Sequence, residues 1–163
     1  TNSALEQAKT EDFNTLLLTN YLQGEARYVG KMLAAIARQI DATGQPIPRP
    51  ACLVAGGETT VTILGKGKGG RNQEVALGAV TDLAGIDNAA LITLATDGGD
   101  GPTDAAGAIV TGDTLRRGLA LGMHPEVYLR NNDAYYYFNA LDDLLITGPT
   151  YTNVNDLSLL FLH

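Results

Sequence analysis

Nine residues, Thr96-Asp97-Gly98-Gly99-Asp100-Gly101-Pro102-Thr103-Asp104, bring three carboxylates and three glycines together. They follow an apolar run, Ala89 to Ala95, that reads as a buried strand. Carboxylates on a glycine-rich loop at a strand's C-terminal end stand where open α/β sheets bind ligands. The spacings of three and four do not make an EF-hand, which needs acids at alternate positions and a closing Glu where this chain has Ala108. Asp97, Asp100 and Asp104 could give one or two carboxylates to a Mg²⁺ that also meets a nucleotide's phosphates. One of them could take a proton from a hydroxyl. They could equally cap turns and the helix behind them.

A second constellation is cationic. Lys66, Lys68 and Arg71 fall within six residues, inside Gly65-Lys66-Gly67-Lys68-Gly69-Gly70-Arg71. The glycines match G-x-G-x-x-G, the dinucleotide-binding pattern. That loop normally holds pyrophosphate through backbone N–H groups and carries small uncharged residues between its glycines. Two lysines and an arginine suit a phosphate or carboxylate gripped by charge and by a helix N-terminus. A solvated loop without a ligand also accounts for them. The next residues, Asn72, Gln73 and Glu74, are long polar groups at a helix start, able to cap or to bind. Arg71 could clamp an oxyanion bidentately.

Lesser candidates are Glu58, beside Gly56-Gly57, and Asn153 and Asn155 in the polar stretch Thr150 to Asp156. Turn chemistry explains the asparagines equally well. Tyr135-Tyr136-Tyr137-Phe138 reads as helix packing. Ser3 and Ser158 are the only serines, and neither lies in a nucleophile elbow.

The elements that must position these groups alternate. Helices are expected over Ser3 to Lys9 (Ser3 as N-cap, Glu6 as its capping-box partner), Glu25 to Ala42, Arg71 to Leu83, Asp113 to Leu121 and Ala134 to Ala140. Asn131, Asn132 and Asp133 offer N-caps for the last of these. Strands are expected over Asn14 to Thr19, Cys52 to Ala55, Thr59 to Leu64, Ala89 to Ala95, Leu144 to Thr147 and Leu157 to Leu162. The pattern predicts an α/β layered domain with a mixed, mainly parallel sheet flanked by helices. Residues 1–50 read as a lead-in α/β segment and 51–163 as the domain proper, together one compact unit.

Composition narrows the function classes. The 163 residues are 45% apolar and 18% charged, which suits one folded domain. A net charge of −7 argues against nucleic acid or an anionic membrane as partner. No apolar run is long enough to cross a bilayer. The single cysteine, Cys52, excludes an internal disulfide, and a reducing, cytoplasmic setting is expected.

Five blocks in this order resemble one family. They are Gly56 to Val61, Gly67 to Glu74, Thr96 to Ala108, Asn131 to Ala134, and Gly148 to Thr150 with Thr152 to Leu157. They are similar to the C-terminal part of the class II glycerate 2-kinases, which carries the MOFRL domain and whose members are often labelled hydroxypyruvate reductase. Gly24 to Arg27 also resembles the family upstream of that domain. Gly99 and Tyr151 depart from its usual apolar residue and glycine. The resemblance implies ATP- and Mg²⁺-dependent phosphorylation of D-glycerate at its 2-hydroxyl, giving 2-phosphoglycerate. It implies Arg71 as the catalytic candidate, to which the reading of the acidic loop adds Asp97 and Asp100, and an N-terminal Rossmann-like domain as the partner that completes the site. Without that domain the chain is expected to be inactive. Lys66 and Lys68 would neutralise carboxylate and phosphoryl charge, and Asp97, Asp100 and, more weakly, Asp104 would position the metal. The expected partners are a small hydroxy acid and a nucleotide, and dimer formation stays open. Two alternatives remain at this point: an NAD(P)-dependent hydroxypyruvate reductase, and a non-catalytic module that binds acidic metabolites.

Overall fold

Apolar residues at alternate positions make the sheet a two-faced layer. The computed structural model describes all 163 residues. Its strands are β1 (Asn14–Leu22), β2 (Ala51–Gly57), β3 (Ala89–Ala95), β4 (Gly107–Thr111), β5 (Leu144–Leu145) and β6 (Asp156–Leu162). They form one sheet in the order β1-β2-β6-β3-β4-β5. The helices are α1 (Asn2–Thr10), α2 (Ala26–Thr43), α3 (Arg71–Leu83), α4 (Thr114–Ala120), α5 (Pro125–Arg130) and α6 (Ala134–Leu141).

Along β2, Ala51 and Leu53 enter the main core while Cys52 and Val54 enter a smaller one on the other face. The strand β6 repeats this, with Leu160 and Leu162 on one side and Leu159 and Phe161 on the other. The period of two forces that split. Helices α2 and α3 supply Leu33, Ile40, Leu77 and Val80 to the main core, and α1 adds Ala4, Leu5 and Ala8 to the smaller one. Every residue of β2 is buried, so it reads as a continuous apolar run. Along β3, alternate residues from Ala89 to Ala95 are buried and those between are half-buried.

The sheet is mixed and helix-flanked, as expected, but its balance differs from mainly parallel. Of its five pairings only β1 with β2 is parallel. The acidic loop joins β3 to β4 with no crossover helix, which forces an antiparallel pair. The last strand, β6, then enters between β2 and β3, antiparallel to both. The lead-in strand β1 pairs with β2, so residues 14–22 are built onto the same sheet.

Three further expectations are corrected. Thr59 to Leu64 is not a strand; it makes one isolated bridge, Thr60 with Glu25. Its backbone is spent on the start of α2 instead: Thr60 N–H donates to Gly24 O at 2.9 Å and Thr62 N–H to Glu25 Oε1 at 3.0 Å. Helix α1 begins before Ser3, with Thr1 at its N-cap and no side-chain cap, so the Ser3–Glu6 box is not formed. Strand β4 and helix α5 were not anticipated; α5 is six residues long, too short to show a helical period.

Helices α2 and α3 cross at two glycines. A Cβ on Gly30 would lie 2.0 Å from Val75 O, and one on Gly78 would lie 2.3 Å from Arg27 O. Alanine in a helix interior normally gains up to about 1 kcal/mol over glycine. Here the contact is with backbone that cannot rotate away, so overpacking wins. Gly30→Ala is expected to cost about 1–3 kcal/mol in urea unfolding. A midpoint equal to wild type would contradict this packing.

Candidate functional site

The first turn of α3 lacks a capping side chain of its own, because its N-cap is Gly70. Asp100 supplies one from the acidic loop. Its Oδ1 accepts the Asn72 N–H at 3.0 Å and the Asn72 side-chain amide at 3.2 Å, and Oδ2 accepts the Gln73 N–H at 2.9 Å. A Cβ on Gly70 would stand 2.3 Å from the Asp100 Cγ, so only glycine lets the carboxylate in. The Gln73 amide donates to Thr103 Oγ1 at 2.9 Å, and Thr93 Oγ1 donates to Asn72 O at 2.7 Å. Asp100 is 1% exposed, and burial pushes its carboxyl above the ordinary aspartate value against the lowering by its donors. Three expectations change. Asp100 is spent as a cap, Asn72 and Gln73 are buried among its partners, and two N–H groups that would bind an anion at this helix start are already taken.

Glu74 also turns inward. Its Oε1 accepts from Arg27 Nε at 2.9 Å and Nη2 at 2.6 Å, and Oε2 accepts from Asn132 Nδ2 at 3.0 Å. Glu74 is 2% exposed, so its role is to join α2, α3 and the turn before α6 rather than to bind a ligand. That turn holds the cationic loop by its backbone. Asn132 Oδ1 accepts the N–H groups of Leu64 (2.7 Å) and Gly65 (2.9 Å), Asn131 Oδ1 that of Lys66 (3.1 Å), and Asp133 Oδ1 that of Lys68 (2.9 Å). The Asn-Asn-Asp block therefore docks a loop instead of capping α6, whose N-cap Asp133 makes no side-chain cap bond. The loop's glycines answer to the same contact: a Cβ on Gly65 would meet Asn131 O at 2.3 Å, and one on Gly67 would meet Asp133 Cβ at 2.5 Å.

The remaining candidates scatter around this frame. Asp97 is exposed and accepts the Gly99 N–H at 3.1 Å. Asp104 accepts from Tyr135 Oη at 2.8 Å, a bond that holds its carboxyl below the ordinary value. Lys68 Nζ sits 4.0 Å above the Tyr135 ring. Lys66 is exposed. Asn153 Oδ1 accepts the Asn155 N–H at 3.2 Å, and Asn155 O accepts from Thr96 Oγ1 at 2.7 Å. No three His, Cys, Asp or Glu side chains come together, so Asp97, Asp100 and Asp104 do not form one metal cage, and an ion could take no more than one or two carboxylates from this chain.

A cleft of about 860 Å³, large enough for a small substrate with phosphate groups, opens between the start of α2, the segment after β2 and the first turn of α3. Of the sequence candidates, Glu58, Arg71, Glu74 and Asp100 line it; Lys66, Lys68, Asn72, Gln73, Asp97, Asp104, Asn153 and Asn155 do not. A second groove lies around residues 84–90 and 111–119, away from all of them.

Arg71 is the cation at the cleft. Its Nε donates to Asp156 Oδ2 at 2.5 Å and Nη2 to Asp156 Oδ1 at 3.2 Å. Its Nη1 donates to Glu58 Oε1 at 2.8 Å. The bond to Asp156 raises the guanidinium above its ordinary value, so it is charged at any working pH. Asp156, Asn132, Arg27 and Thr103 hold these groups in place, a role the sequence does not reveal: Asn132 reads there as an N-cap, and the other three only as members of polar or family-like stretches. One signal was available: Asp156 is the only charged residue of a strand, Asp156–Leu162, that is otherwise apolar but for Ser158.

A model of the MOFRL family matches residues 51–156. A D-glycerate 2-kinase of Thermotoga maritima is 47% identical over 156 residues, covering 96% of this chain and 37% of that protein. A putative hydroxypyruvate reductase of Agrobacterium vitis is 42% identical, covering 96% of this chain and 41% of that protein. A crystal structure of a glycerate kinase from Thermotoga maritima superposes with a TM-score of 0.98 at 46% identity, over 99% of this chain and 39% of that one. The chain thus spans well under half the length of these relatives.

Capping by Asp100 and metal binding by Asp100 predict different outcomes. Asp100→Ala leaves two buried N–H groups and the Asn72 amide without their acceptor, and is expected to cost about 1–3 kcal/mol of stability. Thermal unfolding with and without chelator checks it. Wild type that drops to the variant's stability when chelator is added would contradict the cap.

Proposed function

The chain belongs to the MOFRL family, and from that premise we propose that it is the C-terminal domain of a glycerate 2-kinase. The complete enzyme transfers the terminal phosphoryl group of ATP to the 2-hydroxyl of D-glycerate. The observation that carries this is Arg71, fixed by two carboxylates at a cleft of substrate size. The near-coincidence of the fold with a solved glycerate kinase supports it.

Phosphoryl transfer asks little covalent chemistry of a protein; it asks for positioning and neutralisation of charge. ATP supplies the phosphoryl group. Arg71 binds an oxyanion of the donor or acceptor. Lys66 and Lys68 stand on the adjoining loop and lower the cost of bringing phosphates near an acidic domain. Asp100, Glu74 and Asn132 hold the walls. Asp100 is spent on the Asn72 and Gln73 N–H groups, so Mg²⁺ would take at most one or two other carboxylates from this chain beside the nucleotide's phosphates. The domain carries half of a site, and the N-terminal part of the full-length protein is its partner; alone it is inactive. The glycine-rich loop gives no support to a dinucleotide, because its glycines pack on Asn131 and Asp133 and Asp100 covers two α3 N–H groups.

With the full-length protein, ATP, Mg²⁺ and D-glycerate, 2-phosphoglycerate is expected to form. Arg71→Ala is expected to lower kcat/KM about 10²–10³-fold while circular dichroism shows an intact fold. Hydroxypyruvate-dependent oxidation of NAD(P)H without any phosphoryl transfer would contradict the proposal and favour a reductase.

A further inference from the structure

The two carboxylates on Arg71 are not equivalent. Asp156 grips it at two points, its side chain is 10% exposed, and its backbone is locked at the start of β6 opposite Gly57 and Ala95. It is not part of the cleft lining. Glu58 touches Arg71 at one point, Nη1; its side chain is 60% exposed and it does line the cleft. Arg71 is the only cation of that lining, and the other lining carboxylates are committed, Glu74 to Arg27 and Asp100 to the start of α3. A single-point pair with a solvent-exposed carboxylate is weak and easily exchanged, whereas a two-point pair with a carboxylate that is itself buried is costly to break.

We propose that Glu58 holds the place of an incoming oxyanion: a carboxylate or phosphoryl oxygen displaces it from Arg71 Nη1, while Asp156 keeps the guanidinium aimed. Glu58 is thus a specificity-determining residue and Asp156 a positioning residue. A ligand must carry negative charge to win Nη1 from a carboxylate, so neutral hydroxy compounds gain nothing there. Once displaced, the Glu58 side chain has solvent to enter, and Asp156 remains as the counter-charge that stops Arg71 from following the ligand out. This assignment rests on the reading of the cleft as the kinase's substrate cleft, and the test separates the two.

The test is a calorimetric titration of the full-length protein and its Glu58→Gln variant with D-glycerate, with inorganic phosphate and with neutral glycerol, each separately. The substitution keeps size and removes the competing charge. The dissociation constant for one or both oxyanions is expected to fall about three- to fivefold, with glycerol binding unchanged. The oxyanion that tightens identifies which group Nη1 receives, carboxylate or phosphoryl. Asp156→Asn is expected to do the opposite, weakening the same oxyanion and raising its KM more than it lowers kcat. Unchanged or weaker affinity of Glu58→Gln for both oxyanions, or no binding of either in both proteins, overturns the assignment. Phosphoryl transfer to glycerate, measured in the same preparations, decides the function separately: active protein with unmoved affinities removes the Glu58 role and leaves the kinase standing.

Discussion

The buried carboxylate of Asp100 at the start of α3 is the contact on which the rest of the cleft depends. It ties the acidic loop directly to the helix that carries Arg71. Burying a charge is costly, and three donors from Asn72 and Gln73 offset part of that cost. The close approach follows from it. Gly101 has φ of +62°, and a Cβ there would meet Gly69 O at 2.5 Å. Two glycine-bearing loops can touch only because neither carries a side chain at the contact. With that seam closed, the residue after Gly70 is set at the cleft mouth, and Arg71 needs only Asp156 to fix its head.

A second polar belt stiffens the opposite wall. Arg27, Glu74 and Asn132 link α2, α3 and the turn before α6, and the Asn131–Asp133 turn passes that rigidity to the cationic loop through backbone N–H groups. Because each member of the network is satisfied, it orders the site instead of weakening the core. The apolar layers beneath supply stability; the polar belts supply geometry.

Much of the frame was legible in the sequence. Arg71–Leu83 and Ala89–Ala95 were read with their observed bounds, because a helical period and an apolar run each have sharp polar edges. The short helix α5 and strand β4 lacked such length. Thr59 to Leu64 carries β-branched residues, yet tertiary hydrogen bonds to Gly24 and Glu25 outweighed that local preference. The site was half legible. Residue types and spacing marked Arg71, Glu58, Asp100 and Glu74 as special, but not what each would do. Asp100 and Glu74 look like ligand groups in one dimension; burial makes them structural. Asp156 is 85 positions from Arg71, a pairing that no local pattern reveals. The sheet's mostly antiparallel pairing was hidden for the same reason, since β6 finds its place between strands far earlier in the chain.

The central claim is that Asp100 occupies the Asn72 and Gln73 N–H groups at the start of α3, so that ligand anions fall to the side chain of Arg71. The most direct measurement is a ¹³C NMR titration of the Asp100 carboxyl carbon, with and without Mg²⁺. The account predicts a midpoint above the ordinary value of 3.8, because burial outweighs the donors, and no change with Mg²⁺. A midpoint or carbon shift that moves on adding Mg²⁺ would show a carboxylate open to a ligand and contradict it.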